Sequence, residues 1–300
     1  MKKVGYFSFE GFENELGEEI RFYTGKQATH MGRLFLLDED RELTWAQLTL
    51  RDIEIHDVQS ISKAAKLLRD NGRRWASYAF HLHRRSQLIQ EQVRAPKIQP
   101  LSFLEKPEKI TWGFWTLLSE NQMLVSPNTG NYFPLGLVNF AEDRSGPPSR
   151  AYLKLWETFT LYQPPPARDE KVLDLGSCPG GWTWVLQRLG TQVISVDKAP
   201  LDPSVASLAN IEFVKRDAFK LRPDEIEQPA WLFSDIICEP QRLYELVARW
   251  LEAYPDLKCI CTIKYKGKTD FKTTELFRKI PGSRIIHLCH NKHEVTWIKT

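Results

Sequence analysis

The sequence predicts an α/β protein in which a doubly wound domain with a mostly parallel sheet, residues 141–300, follows a smaller α+β domain, residues 1–140. Three observations lead to this prediction. In the second part, short apolar runs alternate with amphipathic segments of helical period, which is typical of buried parallel strands joined by helices. In the first part, strand-like and helix-like segments follow one another without that alternation. Residues 141–149, which are polar and rich in turn formers, separate the two parts.

The second domain contains five apolar runs that are its predicted parallel strands. They are Lys171–Leu175, Gln192–Val196, Ile211–Val214, Trp231–Ser234 and Lys258–Ile263. A final pair, Arg284–Cys289 and Val295–Ile298, predicts a hairpin that adds one antiparallel strand to the sheet.

Amphipathic stripes predict the helices between these strands. One helix begins near Trp182 and ends at Gly190, because apolar residues recur at helical spacing up to that glycine. A second helix starts at Pro240, a residue favoured in the first turn, and carries its apolar stripe from Leu243 to Leu251.

The smaller domain contains five segments with a clear preference for strand or helix. Val4–Phe9 and the segments near Ile110–Leu118 and Tyr132–Phe140 are predicted strands, whereas Glu13–Tyr23 and residues 62–68 are predicted helices.

Composition excludes several classes of protein. Hydrophobic residues make up 42% and charged residues 26% of the chain, which excludes disordered and fibrous architectures. The sequence shows neither a signal-peptide pattern nor an apolar run long enough for a bilayer, so we expect no membrane contact and a cytoplasmic protein. We also expect a monomer. The five cysteines form no C-x-x-C pair and the seven histidines show no zinc-ligand spacing, so we expect no bound metal.

Positive charge is concentrated between Ser62 and Lys97. The basic residues of this stretch are Lys63, Lys66, Arg69, Arg73, Arg74, Arg84, Arg85, Arg94 and Lys97. Trp75, Tyr78 and Phe80 are interleaved with them, and such a mixture suits a polyanion whose bases stack on aromatic rings. This favours contact with RNA, although a basic helix whose aromatic residues face the core gives the same pattern.

A glycine-rich turn follows the first predicted strand of the second domain. Its candidate ligand-binding residues are Gly176, Cys178, Pro179, Gly180, Gly181 and Trp182. Glycine lets the backbone turn tightly and approach a ligand, and ligands of doubly wound sheets bind beyond the carboxyl ends of the strands. The spacing is not the G-x-G-x-x-G of dinucleotide-binding enzymes, which argues against a nicotinamide oxidoreductase.

Carboxylates follow the next two strands. Asp197 can accept both hydroxyls of a ribose, and Asp217 is placed to receive an adenine amino group. Either residue alone could be a turn aspartate or a helix cap. Together with the glycine-rich turn they predict an adenosyl ligand.

The run Asp-Leu-Gly-Ser-Cys-Pro-Gly-Gly-Trp, from Asp174 to Trp182, resembles the first motif of the FtsJ class of RNA 2′-O-ribose methyltransferases. The resemblance implies a Rossmann-like methyltransferase domain, S-adenosyl-L-methionine as cofactor and a catalytic Lys-Asp-Lys-Glu tetrad, with its aspartate beside the cofactor. The tetrad matches Lys154 in Ser-Arg-Ala-Tyr-Leu-Lys-Leu, Asp235 in Phe-Ser-Asp, Lys264 in Cys-Thr-Ile-Lys and Glu294 in His-Glu-Val-Thr.

The two lysines of this tetrad fit the chemistry of methyl transfer, which needs orientation of the reactants and removal of the hydroxyl proton. A lysine takes that proton only when its pKa falls well below the free value of about 10.4, and a second ammonium nearby has that effect. Lys154 and Lys264 can supply the pair, with Lys264 as proton acceptor. Plain interpretations also exist: Lys154 lies opposite the apolar stripe of its helix, like a surface lysine, and Glu294 can protect an edge strand.

Within the class, the chain is most similar to bacterial enzymes that modify a cytidine of large-subunit (23S) rRNA and carry an N-terminal THUMP-type, ferredoxin-like region. Gly11-Phe12-Glu13-Asn14-Glu15 contributes to this similarity, which is good over residues 141–300 and loose between residues 25 and 125. It implies that residues 1–140 bind RNA and that the partner is 23S rRNA or a pre-ribosomal particle.

Two other functions fit part of the sequence. An RNA cytosine-C5 methyltransferase needs a nucleophilic cysteine, and Cys238 lies three residues after Asp235, near the Asp-x-Pro-Cys spacing of such enzymes. However, residue 237 is isoleucine rather than proline, and Ile236 with Ile237 predicts a buried strand end, where cysteines are usually inert. A non-catalytic RNA-binding module is the second alternative, and it would not require an intact tetrad.

Overall fold

The computed structural model describes residues 3–72 and 74–300, so Arg73 of the basic stretch lies outside the described residues. The chain divides into two compact units. Unit 1 holds the described residues up to Leu101 together with Lys106–Phe140, and unit 2 holds Ser102–Glu105 together with Ala141–Thr300. Over the described ranges, no helix combines the length and the apolarity that crossing a membrane requires.

The first part of unit 1 is an antiparallel sheet with one helix. Its elements are β1 (Val4–Ser8), α1 (Glu13–Thr24), β2 (Thr29–Met31), β3 (Leu34–Leu37) and β4 (Ala46–Leu50). The strand order is β2-β3-β1-β4, so the N-terminal strand is central and pairs with β3 and β4. The predicted strand and helix at this end of the chain are confirmed.

The second part of unit 1 is a mixed four-stranded sheet with two helices. Its elements are β5 (Glu54–Asp57), α2 (Ile61–Asp70), β6 (Trp75–Ser77), α3 (His83–Val93), β7 (Gly113–Ser119) and β8 (Gln122–Ser126). The strand order is β5-β8-β7-β6, and only the β6–β7 pair is parallel. The predicted helix at 62–68 and the predicted strand near 110–118 are confirmed as α2 and β7.

Trp75 belongs to the core of unit 1 rather than to its surface. It is 2% exposed, it packs with apolar residues of α2 and α3, and its indole N–H donates to the carbonyl of Leu68 at 2.7 Å. The expectation that Trp75 is available to stack on RNA bases is therefore wrong, because its ring fills the space between the helices and the sheet.

The predicted strand at Tyr132–Phe140 is also wrong. Pro134–Gly136 forms a short 3-10 turn, and only Phe140 makes an isolated bridge, to Leu101. Proline lacks a backbone N–H for a sheet ladder, and Leu135 and Gly136 both have positive φ angles, which the extended backbone of a regular strand does not have.

Unit 2 is built on a seven-stranded sheet. Its strands are β9 (Lys171–Leu175), β10 (Gln192–Asp197), β11 (Ile211–Lys215), β12 (Trp231–Ser234), β13 (Lys258–Lys264), β14 (Ser283–Ile286) and β15 (Glu294–Lys299). They lie in the order β11-β10-β9-β12-β13-β15-β14. All neighbouring pairs from β11 to β13 are parallel, whereas β15 is antiparallel to both β13 and β14. The predicted mostly parallel sheet with one antiparallel strand is confirmed.

Helices precede or connect these strands. They are α4 (Tyr152–Glu157), α5 (Gly181–Arg188), α6 (Pro203–Ala206), α7 (Pro240–Ala253) and α8 (Phe271–Arg278), and a π-helical turn, Thr158–Tyr162, continues α4. Pro240 occupies the first turn of α7 as predicted, and the apolar stripe of that helix is buried. Asp202 and Asp270 cap α6 and α8, since each side chain accepts from a backbone N–H of the first turn.

Candidate active site

The loop between β9 and α5 depends on glycine at two positions. Gly176 has a φ of +76° and Gly180 a φ of +113°, both in the left-handed region that disfavours other residues. A Cβ atom on Gly176 would lie 2.8 Å from Ile236, which follows β12. Glycine therefore allows the segments after β9 and β12 to approach each other at the carboxyl edge of the sheet.

Asp197, at the end of β10, holds this loop. Its Oδ2 accepts from the backbone N–H of Cys178 and its Oδ1 from that of Ala199, both at 3.0 Å. Asp217 lies two residues beyond β11, and its hydrogen bond to Lys198 Nζ, at 2.9 Å, lowers the pKa of Asp217. The structure thus brings Asp197 to the glycine-rich loop and links Asp217 to the residue that follows Asp197.

The remaining candidates of this loop make contacts within unit 2. The carbonyl of Pro179 accepts from the backbone N–H of Asp202 at 2.9 Å, and Gly181 begins α5. Trp182 is buried, and its indole N–H donates to the carbonyl of Ala151 at 2.9 Å. The side chain of Trp182 therefore points into the core beside α4.

A buried carboxylate lies just before the same loop. Asp174, in β9, accepts from the hydroxyl of Thr183 at 2.6 Å, and that hydroxyl lies 3.0 Å from Ser195 Oγ. Burial, together with the negative charges of Asp235 and Asp197, raises the pKa of Asp174 to about 7. Asp174 therefore titrates near neutral pH, far above an exposed aspartate.

The four residues of the implied tetrad lie together at the carboxyl edge of the sheet. Lys154 comes from α4, Asp235 follows β12, Lys264 ends β13 and Glu294 begins β15. Lys264 and Glu294 are directly paired residues in the antiparallel β13–β15 ladder. The insertion of β15 beside β13 therefore places the first residue of one strand opposite the last residue of the other.

Lys154 is buried between two carboxylates. Its Nζ lies 2.9 and 3.1 Å from the two carboxylate oxygens of Asp235 and 2.6 Å from Glu294 Oε1. Burial alone would lower the pKa of Lys154, but the two carboxylates outweigh it and the pKa is raised. Lys154 is therefore an ammonium at neutral pH. It is only 7% exposed, so the interpretation of Lys154 as a surface lysine is wrong.

Lys264 contacts the same aspartate but is more accessible. Its Nζ donates to the backbone carbonyl of Asp235 at 2.6 Å and lies 3.0 Å from Asp235 Oδ1. The Lys264 side chain is 19% exposed, against 9% for Lys154 and 8% for Glu294. Of the two lysines, Lys264 is the one that a bound molecule reaches more easily.

Sequence reasoning missed one buried acid that supports these residues. Glu157 lies one turn after Lys154 in α4 and is 1% exposed. Its Oε1 accepts from the N–H of Cys289 at 2.9 Å, and its Oε2 accepts from the N–H of His290 at 3.2 Å and lies 2.6 Å from His290 Nδ1. A glutamate within the otherwise largely apolar segment 152–159 is the signal that could have identified it.

Cys238, the nucleophile of the alternative C5 mechanism, is half-buried in the loop after β12. Burial raises the pKa of Cys238 to about 11, which disfavours a thiolate. The neighbouring Ile237 is 86% exposed, so the prediction of a buried strand end is wrong there. The strand ends at Ser234, and Ile237 lies in the loop that leads to α7.

Comparison with known proteins gives a consistent result for the C-terminal part of the chain. Residues 147–290 match the model of the FtsJ-like methyltransferase family. Similar curated proteins carry the name Ribosomal RNA large subunit methyltransferase M. The protein from Pseudoalteromonas atlantica is 28% identical over 188 residues, which cover 57% of this chain and 52% of the relative.

Two further relatives of the same name show the same extent of similarity. The protein from Thauera aminoaromatica is 32% identical over 187 residues, with 57% of this chain and 50% of the relative covered. The protein from Halorhodospira halophila is 31% identical over 181 residues, with 57% and 52% covered. The chain therefore spans about half the length of the curated relatives that it matches.

Proposed function

We propose, from the premise that residues 147–290 form an FtsJ-like methyltransferase domain, that this chain transfers a methyl group from S-adenosyl-L-methionine to a ribose 2′-hydroxyl of RNA. The observation that carries the proposal is the contact of both Lys154 and Lys264 with Asp235, beside Glu294. Two amines and two carboxylates at the carboxyl edge of a doubly wound sheet suit proton removal from a hydroxyl that must be held in line with a methyl donor.

We assign a role to each of these residues from its burial and charge. Lys154, whose pKa is raised, keeps its proton and fixes the carboxylates of Asp235 and Glu294. Lys264 is the more accessible amine and accepts the proton of the hydroxyl. Asp235 orients both amines. A positioned proton acceptor of this kind contributes roughly 10²–10⁴-fold to the rate.

The residues around the β9–α5 loop fit an adenosyl cofactor. Ser177 Oγ is buried and meets no hydrogen-bond partner among the described residues, so the loop contains an unused polar group. Asp197 would hold the ribose hydroxyls and Asp217 the adenine amino group, with the glycine-rich backbone between Gly176 and Gly181 around the ligand. When bound, S-adenosyl-L-methionine supplies the activated methyl group on its sulfonium.

The names of the relatives support a large-subunit ribosomal RNA as the substrate, either free 23S rRNA or a pre-ribosomal particle. The resemblance noted in the sequence adds a cytidine as the target. In unit 1, helices α2 and α3 and the residue after α3 expose basic side chains that suit RNA phosphates, which supports a THUMP-type role for residues 1–140. These side chains are Lys63, Lys66, Arg69, Arg84 and Arg94, of which Lys66 also forms an ion pair with Asp70.

Cytosine-C5 methylation receives less support. It requires a thiolate at Cys238, whereas burial raises the pKa of that thiol to about 11. It also leaves the paired lysines without a role.

Mass spectrometry of rRNA nucleosides tests the proposal. A strain that lacks this chain should lose one 2′-O-methylated nucleoside from its 23S rRNA, and purified chain with S-adenosyl-L-methionine should restore it on that rRNA. The Lys264→Ala variant is the control and should not restore it. Restoration of a base-methylated nucleoside, or no methyl transfer by the unaltered chain, would contradict the proposal.

A further inference from the structure

Three exposed lysines lie on the two loops that adjoin the tetrad. Lys266 and Lys268 follow Lys264 directly after β13, and Lys292 precedes Glu294 directly before β15. Because Lys264 and Glu294 are paired across the antiparallel ladder, both loops leave the sheet at the same place. The three lysines therefore lie on the two loops that leave the sheet beside Lys264 and Glu294.

His293 joins the two loops into one surface. Its carbonyl accepts from the backbone N–H of Tyr265 at 3.2 Å, its Nε2 lies 3.1 Å from Thr269 Oγ1, and its ring centroid lies 5.5 Å from that of Tyr265. Gly267, at the tip between the first two lysines, has open space around it: a Cβ atom there would meet no described atom within 4 Å. The tip therefore projects into solvent from a fixed base.

The chemistry of a nucleotide brings a phosphate to this surface. The 2′-hydroxyl and the 3′-phosphate are carried by adjacent carbons of the ribose, so a hydroxyl that reaches Lys264 brings its own phosphate to the mouth of the site. The amines of lysines are compact point charges that bind phosphate oxygens well. The side chain of Lys264 is only 19% exposed, so the ribose has to enter the recess that holds it, and a flexible single strand can do this more readily than a duplex.

We propose that Lys266, Lys268 and Lys292 form a binding surface, the lysine rim, for the phosphates of single-stranded RNA on either side of the methylated nucleotide. This proposal rests on the proposed function, because the rim is expected to bind RNA only if the neighbouring tetrad acts on RNA. Its test, in contrast, measures RNA binding and needs no methyl transfer.

The salt dependence of RNA binding reports the number of phosphate contacts. For single strands the slope of log K against log salt is about −0.7 for each phosphate neutralised. We expect the full chain with Lys266→Gln, Lys268→Gln and Lys292→Gln to bind a fluorescein-labelled, mixed-sequence 20-nucleotide RNA with a slope that is shallower by about 2. Its affinity at low salt should fall roughly tenfold or more, and the two proteins should converge at high salt.

A charge-matched variant provides the control. The control variant Lys171→Gln, Lys258→Gln and Lys279→Gln removes three positive charges from the first residues of β9 and β13 and from the residue after α8, away from the tetrad. We expect this variant to bind the RNA with the slope of the unaltered chain. Thermal melting of both variants checks that each remains folded.

An unchanged slope in the rim variant, or an equal change in the control variant, would overturn the lysine rim. A shallower slope confined to the rim variant, in a chain that transfers no methyl group to RNA, would retain the rim and overturn the proposed function. The two proposals therefore fail by different measurements.

Discussion

Glu157 Oε2 lies 2.6 Å from His290 Nδ1, and this contact joins α4 to the loop that leads into β15. Lys154 lies one turn before Glu157 on that helix, and Glu294 is the first residue of β15. The same carboxylate also accepts from the backbone N–H of Cys289 and of His290. Glu157 therefore fixes the distance between the two elements that supply Lys154 and Glu294.

Glu157→Gln should destabilise unit 2 by about 1–3 kcal/mol, because an amide has one accepting oxygen and leaves a buried N–H unpaired. Methyl transfer in a single turnover should slow, while affinity for S-adenosyl-L-methionine should stay the same. Urea unfolding and calorimetry measure the two effects. Glu275→Gln, which alters a partly exposed ion pair with Arg278 on α8, serves as the matched control. Equal stability of both variants would show that Glu157 has no such supporting role.

Asp174→Asn tests the buried carboxylate of β9 through its pH dependence. Burial in the folded chain raises the pKa of Asp174 from 3.8 to about 7. As pH rises from about 4 to 7, the unfolded chain releases this proton while the folded chain retains it, so the folded state loses up to about 4 kcal/mol of stability from this group. The variant lacks that loss, so its stability relative to the unaltered chain should increase over the same pH range. Unfolding curves at several pH values measure the difference, and a constant difference would contradict the raised pKa.

Asp197→Ala should weaken binding of S-adenosyl-L-methionine by about 1.5–3 kcal/mol, the range for hydrogen bonds to a charged group. The residue accepts from the backbone N–H of Cys178 in the glycine-rich loop, and in the proposed function it also holds the ribose hydroxyls of the cofactor. Asp256→Ala, at an exposed position before β13, is the control and should leave affinity unchanged. Calorimetry that finds equal affinities for the two variants would remove Asp197 from the cofactor site.

The sheet of unit 2 could be predicted because each of its parallel strands is a short apolar run, and apolar runs are visible without any knowledge of tertiary contacts. The order of the last two strands could not be predicted, because a hairpin pattern does not determine which of its two strands pairs with β13. That order decides whether Glu294 meets Lys264 or lies at an edge. Lys154 lies on a helix face that is typical of surface residues, yet it is buried. The strand order explains this burial, because the partners of Lys154 come from distant parts of the chain.

The errors in unit 1 have local causes. The segment 132–140 has the aromatic content of a strand, but Pro134 and the positive φ of Gly136 turn the chain there. Trp75 lies among cations in the sequence, yet its ring packs inward. Arg74, which follows the undescribed Arg73, contacts Glu108, so part of the apparent positive charge is already paired.

Arg84→Gln and Arg94→Gln together should lower the affinity of the chain for RNA and make its salt dependence shallower by about 1.4, because one phosphate contact worth about 0.7 is lost for each residue. These residues lie on α3 or immediately after it, and Arg84 and Arg94 are exposed. Fluorescence anisotropy over a series of salt concentrations measures the slope. If the slope does not change, this helix is a solvated basic surface and unit 1 binds RNA elsewhere.

Lys264→Ala and Cys238→Ala together separate ribose from base chemistry. Removal of the proposed proton acceptor should slow methyl transfer by about 10²–10⁴-fold with little change in cofactor affinity, and Lys264→Arg should rescue poorly because a guanidinium stays protonated. Cys238→Ala should keep most of the activity, since a thiol whose pKa is raised to about 11 takes no part in ribose methylation. A C5 mechanism requires the reverse, because its covalent step begins with that sulfur. Single-turnover reactions followed by digestion to nucleosides decide between them: a base-methylated product together with an inactive Cys238→Ala variant would exclude the ribose mechanism.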